Sequence, residues 1–318
     1  MNKTGRMQKI IKFIGKLLSV IAICFVVYKF IQIDFNWKEV LNVSNILICV
    51  GLILLQVAVI VTACYPWMSF VEILADKKIE FKKAMVVFTK ANIFKYVPGN
   101  VFQYVARNEL ASVAELSHVD VAMATILDTV LSLAVAFVLS LCCLQGTVFT
   151  YIKNSGISAK KIVAVLLIGI LILGVVIIAL YKRWLKDKIK TYFKRINAKN
   201  GVHFLKILAY YLFNNAANCF IFFCIVAMIF GQNNSMNDMY RLMGSFVFSL
   251  IAGMITPGAS GGIGIRESVM MFITEGAFDS SIIVSSMVLL RVISIFGDVL
   301  AFLVGKGVCV VSQKNCER

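Results

Sequence analysis

The stretch Thr256–Glu267 reads T-P-G-A-S-G-G-I-G-I-R-E and interrupts an otherwise apolar region of the chain. It holds one of only three prolines and four of the twenty glycines. Proline removes a backbone donor and glycine disfavours helix, so a helix arriving through Phe246–Ile255 must end near Pro257. At membrane depth a broken backbone is tolerated only where protein or a watery cavity satisfies it, and charged side chains there usually serve ligands. We therefore expect the functional site to lie at this break.

A second stretch, Val97–Glu109, has the same arrangement and reads V-P-G-N-V-F-Q-Y-V-A-R-N-E. In both stretches an arginine lies nine residues after the proline, Pro98 to Arg107 and Pro257 to Arg266, with a glutamate just beyond. The two prolines lie about half the chain apart. This spacing favours a twofold internal repeat, and chance agreement is the alternative.

The composition is that of a polytopic membrane protein built from helices. Sixty per cent of the residues are hydrophobic, 15% are charged and the mean hydropathy is +0.88. About twenty apolar residues span a bilayer, and the chain has several such runs. The net charge of +16 comes from lysines and arginines clustered between these runs, which is the positive-inside pattern. We therefore expect no nucleic-acid partner.

The nine cysteines predict buried thiols. Nearly all of them lie inside apolar runs, the chain has no C-x-x-C pair, and only His118 and His203 could assist in binding a metal. We expect neither a metal site nor a cofactor.

Six apolar segments are predicted to cross the membrane. They are 17–33, 46–74 with an interruption at Pro66, 121–144, 162–181, 204–230 and 282–304. The lysine-rich loops 76–95 and 182–199 should be cytoplasmic, as should both termini. The expected location is the plasma membrane, with 1–318 forming one multi-pass membrane domain.

Parity then decides the role of the two broken stretches. Segment 84–106 enters and leaves from the cytoplasmic side, whereas 241–275 starts and ends outside, so each is predicted to be a re-entrant hairpin. Three crossings lie between them, which makes half-repeats of about 1–160 and 161–318 inverted. Secondary transporters use this arrangement to build a midplane site from broken helices. If both hairpins crossed fully, the chain would have eight spans.

The chemistry expected at the second break is the binding of an anion. A helix broken at the midplane presents free N–H groups and a positive dipole end, which favour phosphate. Glycines from Gly258 to Gly264 would let the backbone approach a headgroup, and Arg266 offers a fork that matches phosphate oxygens. Glu267 could orient this arginine or titrate. The alternative is a structural Arg–Glu pair, with the small residues Gly258 and Gly262 serving helix packing.

Three further charges, Asp128, Arg291 and Asp298, lie inside predicted spans. Arg291 and Asp298 are seven residues apart, two helical turns, so they share a helix face and could reach a common cavity. Ionisable residues within a membrane usually mark functional sites. Mutual neutralisation of the two is the alternative.

Two motifs, K-Y-V-P-G-N around Pro98 and G-G-I-G-I-R-E from Gly261 to Glu267, resemble the membrane region of the lysylphosphatidylglycerol synthase family, also called flippase-like or UPF0104 proteins. The resemblance implies movement or handling of lipids with modified headgroups, such as aminoacylated phospholipids or lipid-linked glycans. The functional residues that it carries over are Pro98, Gly99, Arg107, Gly261, Gly262, Gly264, Arg266 and Glu267.

The favoured function is thus a lipid flippase, or a binder of anionic or modified headgroups, with Arg107 and Arg266 meeting the headgroup from the two leaflets. Full-length synthases of that family add a soluble transferase domain, for which we expect no room in a chain that ends at Arg318. The alternatives are the membrane part of a lipid-modifying transferase, with Glu267, Asp128 or Asp298 as base, and an envelope-glycan assembly partner. No nucleophile and base stand at a recognisable spacing, so no catalytic residue is assigned. Expected partners are membrane lipids, with a homo-oligomer or an envelope-biosynthesis enzyme as further candidates.

Overall fold

The computed structural model describes residues 42–96, 102–112, 116–155, 201–232, 235–256, 262 and 264–316, and every regular element in these ranges is a helix. The predicted spans 17–33 and 162–181 lie outside the described residues. So do five of the predicted site residues, namely Pro98, Gly99, Pro257, Gly258 and Gly261.

The described helices follow one another in this order: α1 Val43–Thr62, α2 Cys64–Ala75, α3 Phe81–Asn92 with a 3₁₀ turn at Ile93–Tyr96, α4 Phe102–Ser112, α5 His118–Ser155, α6 Gly201–Cys224 with a π-helical continuation at Ile225–Ile229, α7 Met236–Ile255, α8 Ile265–Thr274 and α9 Ser280–Cys316.

Five stretches of the described chain are long and apolar enough to cross a bilayer. They are Val43–Ala75, His118–Thr147, Gly201–Ile229, Met236–Ile255 and Ser280–Val308. Four of them coincide with the predicted spans 46–74, 121–144, 204–230 and 282–304. The fifth is α7, which the sequence assigned to the first arm of the second hairpin and which is longer than a half-membrane arm requires. The described part of the chain is therefore all-helical, with five helical stretches fit to span a membrane.

The predicted interruption at Pro66 is present as a break between α1 and α2. Proline is tolerated in the first turn of a helix, but its ring clashes with the carbonyl four residues earlier. Pro66 is the third residue of α2, and α1 accordingly ends at Thr62. Ala63 closes α1 by donating its N–H to the Val59 carbonyl at 3.0 Å.

Helices α7 and α8 form a helical hairpin. At one end, Arg241 on α7 donates from Nε to the Ile273 carbonyl at 2.6 Å and from Nη2 to the Glu275 carbonyl at 2.9 Å. This guanidinium satisfies carbonyls that the C-terminus of a helix leaves without partners. At the other end, Gly253 of α7 lies against Gly262, just before α8. The two helices therefore run antiparallel, with the end of α7 and the start of α8 at the far end from Arg241.

Helices α3 and α4 pack together in the same way on either side of the first break. Each hairpin also packs against the long helix that follows the other hairpin, α3 against α9 and α7 against α5. Glycines allow both pairs of helices to pack closely. A Cβ at Gly305 of α9 would come within 2.5 Å of Thr89 Oγ1 on α3, and a Cβ at Gly244 of α7 would come within 2.7 Å of Leu144 Cγ on α5. In each half of the chain, the first arm of the hairpin thus packs against the long helix that follows the hairpin of the other half.

Each hairpin has its own apolar cluster. Phe88 of α3 belongs to a cluster built around Trp67 and Val71 of α2, whereas Phe246 of α7 belongs to one shared with α6 and α9. In the second cluster the rings of Phe222 and Phe246 stack at 4.6 Å between centroids. The burial of these rings fixes the hairpins in place and so positions the charged residues near the breaks.

Candidate functional site

Helix α9 carries Arg291 and Asp298, the two charges predicted to lie within its span, and each has a partner from a different hairpin. Asp298 receives donors from the first hairpin, and Arg291 pairs with a carboxylate of the second. The residues that meet here are called the junction cluster. Its members are Asn92, Lys95, Tyr96, Arg266, Glu267, Arg291 and Asp298.

Asp298 anchors the end of the first arm. Its carboxylate is only 1% exposed and accepts from Lys95 Nζ at 2.6 Å and from Asn92 Nδ2 at 2.6 Å. The Tyr96 hydroxyl donates to Oδ2, the same oxygen that Lys95 approaches, whereas Asn92 donates to Oδ1. All three donors lie within five residues of the sequence, at the end of α3 and in the 3₁₀ turn that follows it, so one carboxylate can accept from all of them. A buried carboxylate needs such partners to remain charged.

Glu267 serves two purposes at the start of α8. Its Oε1 pairs with Arg291, at 2.6 Å from Nη2 and 2.9 Å from Nε. Its Oε2 accepts the backbone N–H of Gly264 at 2.9 Å. The expected alternative of a pair between Arg266 and Glu267 is therefore not what forms, and one of the N–H groups expected to be free at this helix end is already bonded.

Arg266 lies in a cradle made by two glycines. A Cβ at Gly253 would come within 2.7 Å of both Cγ and Nε of Arg266, and one at Gly262 within 2.8 Å of Nε. Gly262 also has a φ of +73°, which side chains other than glycine rarely adopt. Within the described ranges, Nε of Arg266 is buried without a hydrogen-bond partner, and no carboxylate forms an ion pair with this residue.

The junction cluster holds more positive than negative charge. Lys95 and Asp298 compensate each other, as do Arg291 and Glu267. Arg266 adds a third cation, which lies close enough to Arg291 and Tyr96 for electrostatic interaction with both. One positive charge is thus left over beside a buried donor, and this can attract an anion.

We expect Gly253→Ala to disturb the position of Arg266. The added methyl group meets Arg266 and also comes within 3.1 Å of the Gly262 Cα, so overpacking should cost about 1–3 kcal/mol. The matched control is Gly51→Ala in α1, where no atom lies within 4 Å and alanine should be neutral or stabilising by up to about 1 kcal/mol. Denaturant unfolding of the two variants in detergent measures the difference. Equal midpoints would show that the cradle is loose.

Arg107 and Asp128 form a separate pair. Arg107 Nη1 lies 3.1 Å from Asp128 Oδ2, and the Tyr211 hydroxyl donates to Asp128 Oδ1 at 2.6 Å. The guanidinium carbon of Arg107 is 4.2 Å from the centroid of the Phe88 ring and 5.6 Å from that of Trp67. Arg107 is only 4% exposed. A carboxylate and two aromatic faces therefore surround this charge.

The structure thus divides the predicted site residues into two groups. Gly262, Gly264, Arg266, Glu267, Arg291 and Asp298 meet at or beside the junction cluster, whereas Arg107 and Asp128 lie elsewhere. Sequence reasoning missed Asn92, Lys95, Tyr96 and Gly253 as neighbours of the site, and Tyr211 as a partner of Asp128. The presence of polar residues inside the apolar segment 84–106 could have indicated Asn92 and Lys95. Within the described residues, no group of three or more His, Cys, Asp or Glu side chains is placed to hold a metal ion.

The resemblance drawn from the two motifs stays a prediction. Comparison of the chain with protein-family models, with curated proteins and with solved structures gives no match.

Proposed function

We propose that the chain is a lipid translocator that binds an anionic headgroup at Arg266. The observation that carries the proposal is the excess positive charge of the junction cluster, next to an arginine Nε that is buried without a partner in the described chain. An uncompensated charge away from water is costly, and a bound anion removes that cost. Phosphate is the anion that membranes supply in quantity, and a guanidinium fork matches its oxygens.

The proposed architecture is an inverted repeat with two re-entrant hairpins among six spans. The matched packing of α3 on α9 and of α7 on α5 supports this arrangement. In such folds broken helices from both halves meet near the midplane, and one half moves against the other to change access. The junction cluster, which draws residues from both hairpins, is where that site would lie. We place the protein in the plasma membrane with both termini in the cytoplasm, because of the distribution of lysines.

Arg107 has a structural role in this proposal. Its Nε, like that of Arg266, is buried without a described hydrogen-bond partner, but its charge is balanced by Asp128 and covered by Phe88, so it has no excess charge to offer an anion. The headgroup-binding arginine is therefore Arg266 of the second hairpin. The expectation that both arginines meet the headgroup is reduced to Arg266.

The inverted topology predicts opposite sides for two exposed serines. Ser117 precedes α5 and Ser280 begins α9, so each stands just after one hairpin. Single cysteines at these positions, in a cysteine-free background, should react with a membrane-impermeant reagent from inside at 117 and from outside at 280. Labelling of both from the same side would contradict the inverted repeat.

Transport is tested by reconstituting the purified protein into liposomes with a headgroup-labelled anionic lipid in one leaflet. We expect the label to appear in the other leaflet with its headgroup chemically unchanged. A changed headgroup would instead favour the membrane part of a lipid-modifying transferase. Protein-free liposomes and liposomes with an unrelated helical membrane protein measure spontaneous movement.

A further inference from the structure

We infer that the group bound at the junction cluster carries a single negative charge, as a phosphodiester does, and that a doubly charged phosphomonoester is disfavoured. This inference rests on the proposed anion site at Arg266 and specifies its ligand. It follows from two independent features of the cluster, the balance of its charges and the number of its free donors.

The charge balance leaves one positive charge to compensate. The cluster has three cations, Lys95, Arg266 and Arg291, and two carboxylates, Glu267 and Asp298. The adjoining segments 97–101 and 257–261 read V-P-G-N-V and P-G-A-S-G, so they add no ionisable side chain. A diester makes the sum neutral, whereas a dianionic monoester leaves one negative charge in a poorly hydrated place. Unit charges about 10 Å apart at an effective dielectric near 20 alter binding roughly tenfold or more.

The free donors agree with this count. Lys95 lies 2.6 Å from Asp298, and Arg291 lies 2.6 Å from Glu267, so the charge of each of these cations already faces a carboxylate. Arg266 is the remaining cation and offers one planar fork. A fork binds two oxygens side by side, which equals the number of unesterified oxygens on a phosphodiester. The third oxygen of a monoester would have no cation of its own.

The Lys95–Asp298 pair allows the charge to be changed without touching Arg266. Asp298→Asn keeps the shape of the side chain and raises the net charge by one, and Lys95→Gln lowers it by one. The double variant restores the original sum while removing both members of the pair. If charge balance decides the ligand, preference should follow the sum of charges rather than the presence of either residue.

The test measures binding to the purified full chain at about pH 8, where a phosphomonoester carries close to two charges. Nanodiscs of phosphatidylcholine with phosphatidylglycerol, a diester, are compared with nanodiscs containing phosphatidic acid, a monoester. Dimethyl phosphate and methyl phosphate form the water-soluble pair. If only the lipids bind, the ligand is a membrane lipid. If dimethyl phosphate binds equally well, the site accepts any phosphodiester. Either result supports the inference, provided that the diester binds more tightly than the monoester.

We expect the wild type to bind the diester roughly tenfold more tightly than the monoester. Asp298→Asn should shift that ratio toward the monoester by about tenfold, Lys95→Gln should weaken binding of both anions, and the double variant should regain the original ratio. Equal binding of the two anions with dependence on Arg266 would overturn the inference and leave the proposed function standing. Absence of binding to any of the anions would overturn both. Thermal unfolding of each variant identifies misfolded protein. If a variant is misfolded, the inference is judged from the ratio of diester to monoester affinity in the wild type.

Discussion

Replacing Arg266 by lysine is expected to lower lipid transport at least tenfold while the folded yield stays close to that of the wild type. Lysine keeps the charge but loses the planar fork, so it binds one phosphate oxygen where arginine binds two. The glycine cradle also fits this side chain closely, since a Cβ at Gly253 or Gly262 would come within 2.8 Å of its Nε. A lysine amine on its flexible stem would not be held in the same place. The measurement is the initial rate of label movement in liposomes of matched protein content.

The matched control is Arg241→Lys on the same hairpin. Arg241 also uses its fork, but on the carbonyls of Ile273 and Glu275 at the opposite end from the break. Loss of those two hydrogen bonds should cost about 1–3 kcal/mol of stability and leave the transport rate per folded molecule nearly unchanged. Full transport by a monodisperse Arg266→Lys variant would exclude Arg266 as the bidentate headgroup ligand.

The positions of both breaks could be predicted from the sequence, because proline and clustered glycines act on their own backbone. The described helices end just before each break, α3 with its 3₁₀ turn at Tyr96 and α7 at Ile255. The polar residues that interrupt an apolar run could also be found, because an ionisable residue inside a membrane span usually marks a functional site, whichever direction its side chain takes. These signals are local, and the sequence contains all of them.

The pairing of charges could not be predicted in the same way. Arg266 and Glu267 are adjacent, but neighbouring residues on a helix point in different directions, so Glu267 meets Arg291 on α9 instead. Arg291 and Asp298 do share a face, yet seven residues at about 1.5 Å each separate them by about 10 Å along the axis, too far for a direct pair. Each therefore takes a partner from another helix. Which partner it takes depends on how α3 and α8 are positioned along α9, and this is fixed by packing such as the close contact between Gly305 and Thr89.

Removal of the Arg107 charge is expected to cause a large loss of stability. Arg107→Met keeps an apolar side chain of similar length over Phe88, but it leaves the Asp128 carboxylate buried with only the Tyr211 hydroxyl as a described side-chain partner. Breaking a buried ion pair from one side costs about 3–5 kcal/mol, since the other charge stays behind without compensation. The measurement is the free energy of unfolding from a denaturant titration of the protein in detergent.

A double variant separates the cost of the orphaned charge from the value of the pair itself. Asp128→Asn in the Arg107→Met background removes the charge and keeps an oxygen for the Tyr211 hydroxyl, so more than half of the lost stability should return. The exposed pair Lys83–Glu80, with both side chains 65% exposed, is the control, and Lys83→Gln should change stability by less than about 0.5 kcal/mol. If the losses from Arg107→Met and Asp128→Asn simply add in the double variant, the two residues do not neutralise each other. Arg107 would then be free for the lipid, and its assignment to a structural role would be wrong.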